Sequence, residues 1–538
     1  MILYMFTRFY LTCFVVNSVF IIFKMSKVHK ATSVIPSFYF FSGFGKYNLL
    51  MGVVCGFMII AMAFESLSVS YLVPASACEL ETTTLHQGFM AAVPVIGILA
   101  TSHVWGYLAD MRGRRKILQL SLVLGFVTGA LAAFSPHWIV FCVLKFLSCT
   151  SVSGTFALAF TLLGETTPRT KRNMVILMTS SIYLVSTGVM AVLTIPVLPL
   201  TFSYYVPYLG IYFNSWRLLN IIYSLPCAIA AAVAARVDES PKYLLTMGLA
   251  EEALNVIKGI YVVNTGKDLE DFQVKSIILN EGATSQAQYK SLWASVKAQT
   301  LPLVKPPLVR NTILLSIMFA LIYFCIHPYV VWLPFIADGF MKSIEKGETD
   351  LTICQMLRSA HVSQNQTLES LDVIEEVKDC SLNHFAMMIV LINGCVLGIM
   401  NLVMSGLINV VGRKRLLIAV QIITGTAGIC INFSSSWAVT AVIFMAFIAN
   451  CLNFAVLTTF SVNIFPTYLK AMAVCLTLMV GRTCAFFGIN ILKQLLISDC
   501  ELSFYIFGGL TIAGGILGFL LPADEPKHKP RENKAPET

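Results

Sequence analysis

The sequence predicts an all-α polytopic membrane protein, twelve transmembrane helices in two six-helix bundles, and three observations predict it. Hydrophobic residues make up 57% of the 538 and charged residues only 12%, with a mean hydropathy of +0.78. A soluble domain carries about 25% charged residues, and a soluble chain this long has too much surface to cover with half that charge. Apolar runs of about 20 residues recur, the length that crosses a hydrocarbon core as a helix. Finally, landmarks of the first half return in the second at a nearly constant offset.

Taken in order, the spans read near 47–73, 86–109, 117–134, 138–161, 174–198 and 217–235. A polar interval, 236–310, separates them from six more near 311–335, 384–408, 416–433, 437–462, 471–496 and 502–521. The domains expected are an N-terminal region 1–46, a first bundle 47–235, a central loop 236–310, a second bundle 311–522 and a tail 523–538. The second bundle carries an enlarged outside loop at 336–384. The first 24 residues read as an alternative or mis-assigned start ahead of Met25, or as a thirteenth span or uncleaved signal over Phe9–Phe23. In the central loop, Ser240-Pro241 suits the N-cap and first position of a helix and Gly248 its stop, so short amphipathic helices are expected there as a collar tying the halves.

Lys and Arg set the orientation. Residues 110–116, "PRTKR" at 168–172, the central interval, "GRKR" at 412–415 and the tail "KHKPRENK" are basic. They alternate with loops nearly free of basic charge: "SACELETTTLHQ", "SPHW", "VPYLGIYFNS" and "SSSW". Basic loops and both termini are therefore expected in the cytoplasm. The net charge of +9 is spread over these loops, so nucleic acid is not an expected partner. Most of the 15 cysteines lie inside spans and read as small apolar residues. Cys354 and Cys380 share the enlarged outside loop and are a candidate disulfide. Asn365-Gln366-Thr367 in the same loop is a glycosylation acceptor. No zinc spacing, P-loop or nucleophile–base set is visible, so no cofactor or metal is expected and an enzyme is not.

The repeat is explicit in residue numbers. Gly113 and Gly412, Arg114 and Arg413, and Trp138 and Trp437 each stand 299 apart. Glu165, Pro168 and Arg172 return as Asn463, Pro466 and Lys470 at 298. Pro74 and Pro334 are only 260 apart, which places an insertion of about 38 residues in the enlarged outside loop. Two like-oriented six-span halves are the architecture of a transporter whose site lies between them at the midplane.

The repeated loop "GYLADMRGRRK", Gly106 to Lys116, reads as a gate on the cytoplasmic side. Gly106 suits a close helix approach, and Asp110 can face the positive N-terminus of a helix in the other half, near Lys470. Gly113, Arg114 and Arg115, with Glu165, Arg169 and Glu239, make the first-half copy; Asn409, Arg413, Lys414 and Lys470 make the second. Asn409 and Asn463 stand where the first half has carboxylates, so the mirror latch is the weaker. The alternative is that these loops are only positive-inside anchors.

Charges inside spans are costly and need a reason. Glu65 lies well inside span 1 with Ser68 on its face, a candidate for binding substrate or proton, or for a structural ion pair. Lys145 in span 4 either binds solute or snorkels. Arg482 in span 11 can attract an anionic group or pair with an acid. Tyr183 and Thr187 share a face of span 5, Asn450 and Asn453 one of span 10, and Asn393 sits in span 8; each lines the cavity or bonds helix to helix. Trp332 can stack on a ligand or anchor at the interface.

"GYLADMRGRRK" resembles the loop 2–3 signature of the major facilitator superfamily, and "DESPKYLL" at 238–245 is similar to the box after span six of its sugar and organic-ion porters. "SGFGKYNLL", "TSHVWGYLAD" and "FPTYLKAMAVCLTLMVGR" resemble the synaptic vesicle glycoprotein 2 family, as does a glycosylatable enlarged loop between spans seven and eight. The resemblance implies a twelve-helix fold, alternating access, and span 1 as a cavity helix. The function expected is secondary active or facilitative transport of a small organic ion or polar solute, with a proton or other coupling ion, by a monomer in the plasma membrane or a vesicle membrane. The alternative is a non-transporting membrane glycoprotein that acts through partners.

Overall fold

A computed structural model describes residues 44–268, 272, 274, 300–347, 350–359, 382–465 and 469–522. Within these, the side chains of Arg169, Asn409, Asn463 and Lys470 are not described. Residues 1–24, Asn365, Cys380 and the basic tail lie outside the described residues.

Among the described residues, twelve helices are long and apolar enough to cross a membrane. Spans 1 to 6 run Lys46–Ser76, Thr84–Thr101, Arg114–Phe134, Trp138–Thr166, Met178–Val197 and Ser215–Ala234. Spans 7 to 12 run Val309–Glu345, His384–Ile408, Arg413–Phe433, Trp437–Phe460, Met472–Ser498 and Cys500–Leu520. The ends joined by the basic loops are called the basic end below, and the opposite ends the far end.

Span 7 exceeds its apolar run. Its 37 residues rise about 55 Å, against a hydrocarbon core of about 30 Å, so its last turns stand clear. There the helix is continued by polar contacts, such as Asp338 to Lys342 at 2.8 Å one turn apart. Spans 4 and 10 are each interrupted at matching places, around Ser153–Gly154 and at Ala449–Leu452. In span 4 the break admits Trp105 of the helix Thr84–Arg112: a Cβ on Gly154 would lie 2.3 Å from the Trp105 Cβ. Trp105 Nε1 donates to the Thr150 carbonyl at 2.7 Å, one of the acceptors near the break.

The halves meet along spans 2 and 11, 5 and 8, and 1 and 7. At the far end, a Cβ on Gly88 would stand 2.9 Å from Asn490 Oδ1, and Phe89 meets Phe486 edge-on at 6.4 Å. Further in, Gly188 and Gly394 bring the backbones of spans 5 and 8 together, and Asn401 donates to Ser181 at 2.9 Å and Ser180 at 3.2 Å. Toward the basic end the seam is looser. No described atom lies within 4 Å of a Cβ built on Gly106 or on Gly406. The close approach expected at Gly106 is therefore absent in this state; the glycine is on a helix whose inter-half contacts run along its other end.

In the central loop, Ser240 caps the helix Pro241–Thr246 by accepting from the Tyr243 amide, and Gly248 takes φ +79°. A second helix, Ala250–Thr265, follows. Asn264 bonds its side chain to Asn48 at 2.9 Å and accepts from the Tyr47 amide at 2.9 Å, so this segment is fastened to the first half. Between spans 5 and 6 the loop is a hairpin, Tyr204–Val206 paired antiparallel with Ile211–Phe213.

The disulfide differs from expectation. Cys354 bonds Cys500, the first residue of span 12, and not Cys380. Residues 353–359 are helical and lie over the start of span 12, where Arg358 also meets Glu501 at 3.2 Å, so the thiol that Cys354 meets is one 146 residues away in sequence. Cys78 is also disulfide-bonded.

Candidate functional site

Two groups of polar residues sit within the spans, in different surroundings. The first is closed inside the first half. Lys145 Nζ donates to Glu65 Oε2 at 3.2 Å and Ser148 Oγ to the same oxygen at 2.7 Å, all three fully buried. Span 3 passes so near that a Cβ on Gly129 would stand 2.3 Å from Glu65 Oε1, which takes no hydrogen bond among the described residues. Lys145 therefore does not snorkel; a carboxylate across the helix interface is closer than the membrane surface. Ser68 serves the backbone, donating to the Glu65 carbonyl at 2.9 Å.

The second group lies where the halves meet. Tyr323 of span 7 is hydrogen-bonded to Arg482 of span 11 and stacks on His327, one turn along, with centroids 5.8 Å apart. Gly481 lets span 11 come this near, since a Cβ there would fall 2.6 Å from the Tyr323 ring. From the first half, Tyr183 stands near enough to Tyr323 and Arg482 to feel both electrostatically. His327 also feels Arg482, and its Nδ1 has no partner among the described residues. All four side chains are half-buried, unlike Glu65 and Lys145. A cation, two phenols and an imidazole from both halves, mid-span and partly open, can bind a polar or anionic group and hand it hydrogen bonds. Thr187, one turn from Tyr183, lies against span 8 at Gly394.

The remaining candidates disperse. Asn453 donates to Asn450 at 2.9 Å beside the break in span 10; both are buried, and Asn450 Nδ2 and Asn453 Oδ1 stay unbonded among the described residues. Phe454, the next residue, packs edge-on against Tyr323 at 5.7 Å. Asn393 lines an apolar cavity between spans 7, 8 and 10 with its Oδ1 unbonded. Trp332 does not offer a free face: Lys493 stands over its ring at 4.6 Å, and its Nε1 donates to the Ile489 carbonyl at 3.1 Å.

At the basic end, Asp110 pairs with Arg114 one turn away at 3.0 Å, and Arg114 reaches Glu165 at 3.3 Å and the Tyr243 ring at 5.2 Å. Glu239 accepts from the backbone amides of Arg114, at 2.9 Å, and Arg115. A Cβ on Gly113, whose φ is +102°, would collide with the Glu239 carboxylate. Ser240 donates to Glu165. Arg115 donates to the Ala235 carbonyl at the end of span 6. In the second copy Arg413 lies over Phe460 at 5.8 Å, and Lys414 donates to the Phe519 carbonyl at 2.8 Å. Asp110 is met by Arg114 on its own side, and the side chain of Lys470, its expected partner across the halves, lies outside the described residues. An i,i+4 pair with a terminal carboxylate needs no helix from the other half, and here that half stands off.

Tyr323, His327 and Lys493 are functional candidates that sequence reading missed. Tyr323 and His327 had a signal, polar rings one turn apart in "LIYFCIHPYVVWLP". Lys493 had one too, a second cation in span 11.

The Major Facilitator Superfamily profile matches residues 53–352 and 379–538. Human synaptic vesicle glycoprotein 2B is 24% identical over 316 residues, 54% of this chain and 45% of that protein. The putative transporter svop-1 of Caenorhabditis elegans is 23% identical over 318 residues, 59% of this chain and 56% of that protein. The synaptic vesicle 2-related protein of Xenopus laevis is 30% identical over 222 residues, 41% and 38%. The chain thus spans about half the length of these curated relatives. Among solved structures, a partially occluded inward-open conformation of the xylose transporter XylE from E. coli superposes with a TM-score of 0.63 at 13% identity, covering 89% of this chain and 99% of that one. With both halves covered by one profile and the twelve-span fold in place, this chain belongs to the major facilitator superfamily.

Proposed function

We propose that this chain is a secondary or facilitative transporter that moves a small polar or charged solute by alternating access, as a monomer, with the basic end and both termini in the cytoplasm. One observation carries the reading: Tyr183 of the first half and Tyr323, His327 and Arg482 of the second lie near one another, half-buried, within largely apolar spans. That partial exposure sets the cluster apart from Glu65 and Lys145, which are sealed inside the first half. The seam supports the same cycle, since the halves touch from the far end to the middle and stand off at Gly106 and Gly406. Glu65 and Lys145 are the pair that a coupling proton would divide. XylE is described as a proton:xylose symporter, a precedent for coupling in this fold.

The test is uptake into proteoliposomes, screened over metabolites at two pH values. Arg482→Gln should abolish uptake while the protein still inserts and unfolds at its normal temperature. Glu65→Gln should retain exchange and lose accumulation driven by a pH gradient. Uptake unchanged in Arg482→Gln removes the site from the seam. One observation favours a second reading, a membrane glycoprotein acting through partners: Asn409 and Asn463 replace the first half's gate carboxylates. No uptake of any metabolite by well-folded protein would move the assignment there.

A further inference from the structure

Span 11 carries two cations, Arg482 and Lys493. Eleven residues leave them about 20° apart around the helix and about 16 Å apart along it, one at mid-span and one near the far end. Lys493 is 2% exposed. Its ammonium lies 3.4 Å from the centroid of the Phe335 ring and 4.6 Å from that of Trp332. Trp332 is pinned by its own bond to the Ile489 carbonyl, so this box is preformed. Among the described residues nothing accepts a hydrogen bond from Lys493. Asp338, one turn beyond Phe335, is taken by Lys342 and by the Asn383 amide at 2.6 Å.

Charge balance sharpens the point. In the first six spans the fully buried cations have acids: Lys145 has Glu65, and Arg217 has Glu79 at 2.6 Å. The acids of spans 7 to 12 and their last turn, Asp338, Glu345, Asp499 and Glu501, all stand at the far end, and none lies between the ends. Lys493 thus places a buried positive charge in a half whose spans hold no carboxylate between their ends. Aromatic faces offset only part of the cost of desolvating an ammonium ion, and a charge held within a span at such cost calls for a counter-charge that arrives.

We infer that the transported solute bears a carboxylate or phosphate group, and that Lys493, boxed by Trp332 and Phe335, is an anion site on its path between the far end and Arg482. The inference rests on the transporter reading above. In the present state the contacts of Gly88 with Asn490 and Phe89 with Phe486 close the far end beside the box. Opening that seam uncovers Lys493, and an arriving anion draws the ammonium off the Trp332 ring.

The experiment is tryptophan fluorescence of the full chain in phosphatidylcholine liposomes at constant ionic strength. Inorganic phosphate, succinate and benzoate are titrated against D-xylose and tetraethylammonium. At least one anion should give a saturable change and the neutral and cationic probes none. Lys493→Gln should weaken its half-saturation about tenfold or more, the loss of one charge-assisted contact. Lys493→Arg should keep it, and Trp332→Phe should remove the fluorescence change, which assigns the signal to the box. Repeating the titration with phosphatidylserine separates a lipid headgroup from a solute. If the lipid alone occupies the Lys493-dependent site, the solute assignment is overturned. So it is if no anion binds, or if Lys493→Gln binds as well as the native chain. Saturable xylose binding or uptake without any anion effect would sink this inference and leave the transporter reading standing.

Discussion

Replacing Lys145 by Met tests the buried ion pair most directly. The ammonium is one of two donors to Glu65 Oε2; the other is the Ser148 hydroxyl, and Oε1 has none among the described residues. The substitution keeps the stem's volume and leaves an ionised carboxylate, fully buried, with a single neutral donor. Removing one partner of a buried pair costs about 3–5 kcal/mol, mostly as the stranded charge of the other. Glu65→Met should cost as much by stranding the ammonium. The double variant strands nothing, and replacement of a whole buried pair by apolar side chains is neutral or stabilising by about 1–4 kcal/mol. The coupling energy of this cycle should therefore be several kcal/mol, far above the roughly 0.5 kcal/mol expected of independent sites. Equilibrium unfolding in mixed micelles, followed by circular dichroism, measures all four corners. The reasoning is refuted if the single variants lie within about 1 kcal/mol of the native protein or if their costs simply add.

Three further outcomes are expected. Gly129→Ala should destabilise and disturb the same pair, because its methyl group would sit 2.3 Å from Glu65 Oε1; the added cost, about 1–3 kcal/mol, should vanish in the Glu65→Met, Lys145→Met background, read by the same unfolding assay. Cys354→Ser should release Cys500 to a thiol reagent applied from outside and lower stability by about 2–5 kcal/mol, whereas a Cys354–Cys380 bridge would leave Cys500 indifferent to that change; peptide mapping without reduction settles which bond forms. Asn365→Gln should remove the whole glycosidase-sensitive mass shift on a gel, and a surviving shift would move the glycan elsewhere or invert the loop.

The fold was legible because its signals are long and redundant. Twenty apolar residues admit few structures other than a membrane helix, and Gly113 with Gly412, or Trp138 with Trp437, need only subtraction. Breaks inside spans were not legible: Gly154 reads as any glycine until Trp105 is seen packed against it. Polar candidates were found by type, since Glu65, Lys145 and Arg482 each stand out against an apolar run. Their partners were not, because pairing depends on helix rotation, which period alone leaves free. Thus Glu65 and Lys145 were weighed separately and found together, and Trp332, weighed as a ligand face or an interface anchor, is already covered by Lys493. Cys354 was matched to a cysteine near it in sequence for the same reason. Loop chemistry carries no record of what it folds over.

Among the described residues, the repeated basic loop makes side-chain contacts in both halves, each within its own half. Arg115 donates to the Ala235 carbonyl at the end of span 6. Lys414, 299 residues later, donates to the Phe519 carbonyl at the end of span 12. In each case a cation meets the negative end of a helix, where its charge is favourable. Both copies thereby tie the start of the third span of a half to the end of its last. On the transporter reading proposed above, these ties would hold each half together while one bundle rocks against the other. The first copy then does something further, because it kept its acids. Glu239 takes the amides of Arg114 and Arg115, Ser240 bonds Glu165, and Asn264 bonds Asn48 at the other end of the segment. The helices Pro241–Thr246 and Ala250–Thr265 are thus fastened at both ends to the first half and travel with it. Asp110, with 72% of its side chain exposed, holds only an i,i+4 bond to Arg114, the kind worth about 0.3–0.5 kcal/mol. Of the acids in this first-half cluster it is the one that can be given up cheaply when the basic ends of the halves approach.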